Sequence, residues 1–273
     1  MFFFVMVIAL LTDFGTRDYF VGALKGVIFS INPSAKIVDI THEIPAQDVK
    51  AASFTLRACF ANFPKKTIFV TVVDPGVGSN RKALLVETAD YYFIAPDNGL
   101  LSFVFDEAAH YTVYQLTAER FFAEKVSRTF HGRDIFAPVA AHLSNGVEPH
   151  EFGAEISNFV HLPNSTPTQI SEREIEAEII HIDFFGNLVT NLKSTDLPAE
   201  FTLRIKEETI NKRQNYFAEA EKSELFTILG SAGFLEIVAF RDSVKDILRV
   251  EVGERIRLLT TYYFQSPKEE KSV

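Results

Sequence analysis

The chain has 273 residues, room for one large or two medium domains, and 47% hydrophobic content with 27 phenylalanines can fill a sizeable core. A net charge of −9 excludes a broad basic face, so no nucleic-acid partner is expected. The single Cys59 excludes an intramolecular disulfide, and its setting, "FTLRACFANF", reads as a buried helix face rather than a reactive thiol.

In chain order, "MFFFVMVIALL" lacks a basic leader and a small-residue cleavage pattern, is too short to cross a bilayer, and runs into "TDFG" as a buried strand does. That predicts a cytoplasmic protein with no membrane partner. In "DYFVGALKGVIFSINP", Tyr19, Phe20, Ala23, Leu24, Val27, Ile28 and Ile31 keep helical spacing up to Pro33. A strand "KIVDIT", a helix "QDVKAASFTLRACFANFP" and a continuously apolar strand "TIFVTVV" follow. "FHGRDIFAPVAAHLSNG" reads as a further helix, with Pro138 early in it and Gly146 after it. The alternation predicts an α/β domain with a mainly parallel sheet over residues 1–160.

Prolines and small polar residues then predict a linker over 161–170. Short strand-like runs, among them "IEAEIIHIDFFGNLVTNL", "ELFTILG", "GFLEIVAF" and "ERIRLLT", predict a smaller all-β domain over 171–265, an antiparallel sandwich or barrel. Residues 266–273 form a polar tail.

Acidic residues recur where apolar strands end: Asp13 in "LLTDFG", Asp74 in "VVDPGVG", Asp97 in "FIAPDNGLL". Ligands of open parallel sheets bind at those carboxyl ends, so three carboxylates there point to a site, although each alone could be a cap or turn residue. Asp13 before a helix suits a vicinal diol, because a carboxylate accepts two hydrogen bonds. "FHGRD" adds His131, Arg133 and Asp134 at a loop-to-helix junction. In "IDFFGNLVTN", Asp183, Phe184, Phe185 and Asn187 surround one glycine, which serves either a hairpin turn or a purine pocket with a stacking face and an amide for the base edge. Ser231 and Gly233 in "LGSAGFLEIV" serve either a tight turn or a close backbone approach to a ligand. No metal-ligand spacing, nucleophile elbow, Walker loop or dinucleotide fingerprint is present in the sequence, so no metal is expected.

Together "LTDFGTRDYFVGALKGVI", "VVDPGVGSNRKALLVE", "IAPDNGLL", "TFHGRDIFAPVAAHL", "IDFFGNLVTN" and "GSAGFLEIV" resemble, in order, the S-adenosyl-L-methionine (SAM) hydroxide adenosyltransferases, or SAM hydrolases, relatives of the fluorinating and chlorinating SAM enzymes. The resemblance runs from about Ile8 to Leu259. It implies an N-terminal α/β domain, a C-terminal β-barrel-like domain, and a homotrimer with active sites between one subunit's first domain and its neighbour's second. It implies attack of water or hydroxide on C5′ of SAM, giving adenosine and L-methionine, with no cofactor beyond SAM as substrate. By the same resemblance Asp74, Arg81 and His131 are catalytic, either Asp74 or His131 taking the proton. Asp13 would hold the ribose, Asp183 the methionine ammonium, Phe185 and Asn187 the adenine, and Ser231 the methionine carboxylate. The halide-using relatives carry an arginine after that serine, where this chain has Ala232, and their halide loop is unlike "DPGVGSNR". Two other readings compete: a metal-dependent nucleotide phosphatase built on Asp13, Asp74, Asp97 and His131, and a trimer that binds SAM or adenosine without turnover.

Overall fold

A computed structural model describes residues 6–163 and 165–260. The predicted tail 266–273, the last residues of the expected β domain and the first residues of the N-terminal apolar run lie outside them. The chain divides into two compact units, Met1–Asn164 and Ser165–Val273.

The first unit runs β1 (Val7–Thr12), α1 (Phe20–Ile31), β2 (Lys36–Thr41), α2 (Val49–Cys59), β3 (Ile68–Val72), β4 (Ala83–Thr88), β5 (Tyr92–Pro96), α3 (Ser102–Glu107), β6 (Tyr111–Gln115) and α4 (Ala137–Ser144). Its six strands lie in the order β2-β1-β3-β5-β4-β6. Both faces of β1 are covered, and Ile8 to Leu11 are wholly buried. Because side chains alternate along a strand, Ile8 and Leu10 pack with Leu24, Ile28, Val139 and Ala140 of α1 and α4. Ala9 and Leu11 pack with Ala52 and Leu56 of α2 and with Phe103 and Val104 of α3. Two helical layers thus sandwich the sheet, as the continuously apolar strands require.

The sheet is mixed rather than purely parallel. β2, β1, β3 and β5 run parallel, whereas β4 is antiparallel to both β5 and β6. The cause is the connection out of β3: residues 73–82 form a loop too short for a helical crossover, so the chain returns antiparallel. β5 then folds back by a hairpin into the place between β3 and β4. The loop's two ends, Asp74 and Arg81, are therefore set at the mouths of strands that flank β5. The chain also leaves β1 toward β2 on one side and β3 on the other, which makes the carboxyl ends of β1 and β3 a topological switch point, the place where such sheets bind ligands.

Residues 158–162 are fastened to this unit. Val160 N donates to Asp97 Oδ1 at 2.7 Å, Leu162 N donates to Ser102 Oγ at 2.9 Å, and Lys82 Nζ bonds Asn158. Asp97 is thus committed to the backbone.

The second unit contains β7 (Thr168–Ser171), β8 (Glu174–Ile182), β9 (Leu188–Lys193), β10 (Thr202–Ile205), β11 (Glu208–Ile210), β12 (Leu225–Leu229), β13 (Phe234–Ala239), α5 (Val244–Leu248) and β14 (Arg255–Leu259). β7, paired with β8, takes up part of the segment expected as a linker. The strands pair antiparallel in the order β11-β10-β14-β8-β9-β13-β12. Residues after β11 nearly close this path into a barrel: Thr227 N donates to Lys212 O at 2.9 Å and Gln214 N to Thr227 O at 3.0 Å. Alternate residues such as Ile175, Ala177, Leu235, Ile237, Ile256 and Leu258 fill the interior. Among the described residues no helix is long and apolar enough to cross a membrane.

The packing sets an expectation for stability. Leu10→Ala, at a wholly buried position, should destabilise the first unit by about 2–5 kcal/mol. Asp48→Ala, which deletes the α2 N-cap bond to Ala51 N at 2.9 Å, should cost about 1 kcal/mol. Denaturant midpoints of the two variants, read against the unaltered chain, check that ranking.

Candidate active site

The β3–β4 loop begins as ordinary turn chemistry. Val77 N donates to Asp74 O at 3.2 Å, Ser79 Oγ donates to Gly76 O at 2.6 Å, and Arg81 N donates back to Ser79 Oγ at 3.2 Å. The turn folds Arg81 onto Asp74. Arg81 Nε lies 2.9 Å from each carboxylate oxygen, and Nη2 donates to Oδ2 as well. Their side chains are only 6% and 9% exposed. The same Nη2 reaches His131 Nδ1 at 2.7 Å, so the three residues singled out in sequence form one continuous relay.

Arginine has no acceptor, so the lone pair at this contact belongs to His131 Nδ1, and the neutral ring carries its hydrogen on Nε2. Burial first, and then the Arg81 guanidinium, push His131 below the ordinary histidine value; the opposing pulls of Asp74 and Asp134 are smaller. The guanidinium carbon also sits 5.4 Å above the Phe136 ring. A buried pair with an imidazole attached is a corner that can orient a small polar molecule, by a carboxylate acceptor, a cation and a ring N–H.

His131 is carried by an unusual element. Gly132–Phe136 form a π-helical turn that runs into α4, a widened turn often found at functional sites. Pro138 sits in the first turn of α4, as the sequence suggested. Asp134 does not cap this helix. Its buried carboxylate accepts from Ser127 N at 2.7 Å and Arg133 Nε at 2.6 Å, pinning the preceding loop. That loop meets the β3–β4 loop at Gly78, where φ is +78° and an added Cβ would fall on the Arg128 carbonyl oxygen. Sequence reading passed over this glycine, whose role depends on a neighbour fifty residues away.

Asp13 follows β1, at the strand end adjacent to β3. Its Oδ2 accepts from Gln47 N at 2.8 Å, while Oδ1 accepts no hydrogen bond among the described residues. Phe14, Phe20 and Phe130 pack ring on ring at 5.3–5.8 Å, joining the Asp13 loop to the segment that carries His131. Asp13 is not in the relay.

In the second unit Asp183 organises the β8–β9 turn. Oδ1 accepts from Phe185 N at 2.8 Å and Asn187 N at 2.9 Å, and Oδ2 from Asn187 Nδ2 at 2.8 Å. Gly186, at φ +81°, lies against Ser243. The turn holds Phe184 and Phe185 outward, 97% and 72% exposed, so neither ring belongs to the core. Ser231 stands apart, exposed in the β12–β13 turn. Glu236 on β13 went unremarked in sequence because it lies in a strand. It packs against Gly230, and burial, then Asp183, raise its carboxyl above the ordinary value.

Among the described residues no group of three or more histidines, cysteines, aspartates or glutamates is arranged to hold a metal ion. Cys59, at the end of α2, is half-buried, which raises its thiol above the ordinary value.

Comparison with known proteins bears on both units. The model of the SAM hydroxide adenosyltransferase N-terminal domain matches residues 8–153, and that of the C-terminal domain matches residues 177–257. The chain is 35% identical over 271 aligned positions to a Methanocaldococcus jannaschii protein named (R)-S-adenosyl-L-methionine hydrolase, covering 93% of this chain and 95% of the relative. An Actinoplanes protein named fluorinase is 30% identical over 217 positions, covering 70% of this chain and 73% of its own. A crystal structure of a conserved Thermotoga maritima protein superposes with a TM-score of 0.86 at 36% identity, covering 93% of this chain and all of that one.

The relay predicts a titration order. A neutral His131 is favoured by the fold, so its contribution to stability is present above about pH 6.5 and is lost as pH falls below that value. Arg81→Ala should move the His131 titration upward, because it removes a nearby cation, and Asp74→Asn should move it further down, because it removes an anion. NMR titration of the His131 ring in the three proteins gives the order directly.

Proposed function

This chain belongs to the SAM hydroxide adenosyltransferase family, and from that premise we propose that it hydrolyses SAM to adenosine and L-methionine. The observation that carries the reading is the buried Asp74–Arg81–His131 relay at the switch point of the sheet. The water oxygen forms the new bond to C5′, the C5′–S bond breaks, and its electron pair stays on sulfur, giving neutral thioether. A sulfonium leaves without a general acid, so the corner's task is to orient the water and favour the charge developing on it. The single lone pair of neutral His131 is taken up by Arg81, whereas the Asp74 carboxylate keeps acceptor capacity beyond the three contacts it makes with Arg81. Asp74 is therefore the acceptor for the water's proton and Arg81 the cation beside developing hydroxide. No cofactor or metal takes part in this scheme.

Asp13, with one oxygen open, suits the ribose hydroxyls. Phe185, exposed on a rigid turn, suits stacking on adenine with Asn187 beside it, and Asp183 suits the methionine ammonium. Ser231 is assigned to the methionine carboxylate, and Ala232 supplies no charge there. Each unit alone carries only part of this set, which supports a homotrimer with sites shared between subunits. The relatives' names specify the R epimer of the sulfonium, so both epimers belong in the assay.

Incubation of the purified protein with each SAM epimer should release adenosine and L-methionine in equal amounts, from a species that sediments as a trimer. Asp74→Asn keeps hydrogen-bond acceptance but not charge; it should leave KM nearly unchanged and lower kcat by on the order of 10²–10⁴. Near-normal turnover in folded Asp74→Asn would remove the catalytic assignment and leave Asp74 a turn residue. Gly78→Ala, which forces the relay's two loops apart, should lower kcat by on the order of 10–10². Gly76→Ala, whose Cβ meets neighbours no closer than 3.5 Å, serves as its control and should stay within about threefold of the unaltered enzyme.

A further inference from the structure

The carboxylate of Asp13 is held directly by Gln47 N, and the loop that carries it is held by residues that never touch the carboxylate. β1 ends at Thr12, wholly buried, whose Oγ accepts from Phe14 N at 3.2 Å across the Asp13 peptide. The same Oγ lies 2.8 Å from Nδ1 of His42, a side chain only 4% exposed. His42 grips the loop a second time through its backbone, its carbonyl accepting from Gly15 N at 2.7 Å. Gly15 has φ +66°, so the chain turns sharply beyond Asp13. Gln47 N then takes Asp13 Oδ2 at 2.8 Å.

His42 is itself anchored. Its Nε2 lies 3.1 Å from Asp39 Oδ1, within ion-pair distance but without hydrogen-bond alignment, and Asp39 Oδ2 accepts from Lys25 at 2.6 Å. A chain of polar contacts thus runs from Lys25 on α1 through Asp39, His42 and Thr12 to the backbone on both sides of Asp13. Burying a hydroxyl and an imidazole is costly unless both are used, and here the Thr12–His42 contact uses one of each. Thr12, at the end of a strand whose other residues are aliphatic, is the point of attachment.

We propose that Thr12 and His42 are positioning residues for substrate selection: they lock Asp13 with Oδ2 committed to the protein and Oδ1 presented to a vicinal diol, so that they set the preference for a ribose over a sugar lacking those hydroxyls. The inference rests on the adenosyl-transfer reading of this site. Neither residue touches substrate. A merely structural role would lower the melting temperature without changing which sugar is preferred.

Thr12→Val is close to isosteric and removes only the hydroxyl, and Thr12→Ser keeps it. Binding of adenosine and of 2′,3′-dideoxyadenosine to the full-length protein, measured by calorimetry beside SAM kinetics, reads the preference directly. The unaltered protein should favour adenosine. Thr12→Val should reduce that preference by about tenfold and raise KM for SAM by a similar factor, with kcat within about threefold. Thr12→Ser should restore both. His42→Asn should lower the preference too, and combine with Thr12→Val less than additively, because both act on one contact. A Thr12→Val protein that keeps the full diol preference overturns the inference, as does an equal loss of affinity for both nucleosides. Failure of the unaltered protein to release adenosine from SAM would instead overturn the parent reading, a different measurement from nucleoside preference.

Discussion

Asp74 and Arg81 cannot be buried separately. Each side chain is more than nine-tenths withdrawn from water, and removing one partner of such a pair leaves an unpaired charge that costs about 3–5 kcal/mol. Much around the corner serves to satisfy this pair. The Gly76 and Ser79 turn folds the loop back, Phe136 lies under the guanidinium, and His131 takes the donor that Asp74 leaves over. Stability and chemistry are joined here: the desolvation that makes the pair expensive also makes its field strong at whatever is held beside it.

The corner's position follows from the sheet. A loop too short for a helical crossover makes β4 antiparallel, and the same loop carries the carboxylate at one end and the guanidinium at the other. The residue leading into the π-helical turn before α4 supplies the imidazole, and Gly78 lets the two loops touch. Asp13 and its buried support lie on the neighbouring strand end. The second unit solves a different problem. Its barrel interior is apolar, and one aspartate that gathers three hydrogen bonds stiffens a turn so that two phenylalanines stand in water. Two exposed rings on a rigid turn are costly in a free protein and useful to one that stacks a planar ligand.

Several residues changed meaning once their partners were visible. Asp97 looked equivalent to Asp74 in sequence, both closing an apolar strand, but its carboxylate fastens Val160. Asp134, placed by the sequence at a loop-to-helix junction beside His131, holds Ser127 instead of joining the site. Asn187 looked like a free amide, yet its nitrogen is spent on Asp183. In each case the residue type was informative and the partner, distant along the chain or hidden within a turn, was not.

What the sequence determined by itself was whatever depends on local periodicity and turn chemistry: the buried strands, the helices ending near Pro33 and Pro64, the change from α/β to β character, and the placement of acidic residues at strand ends. The ordered motifs also carried the family resemblance. Only the tertiary structure decided that the first sheet is mixed, that the β strands nearly close, and that Asp74, Arg81 and His131 meet while Asp97 does not join them. The physical reason is range. Periodicity and turns act over a few residues, whereas the Arg81–His131 contact, the Gly78–Arg128 approach and the Thr12–His42 bond join segments that only packing brings together.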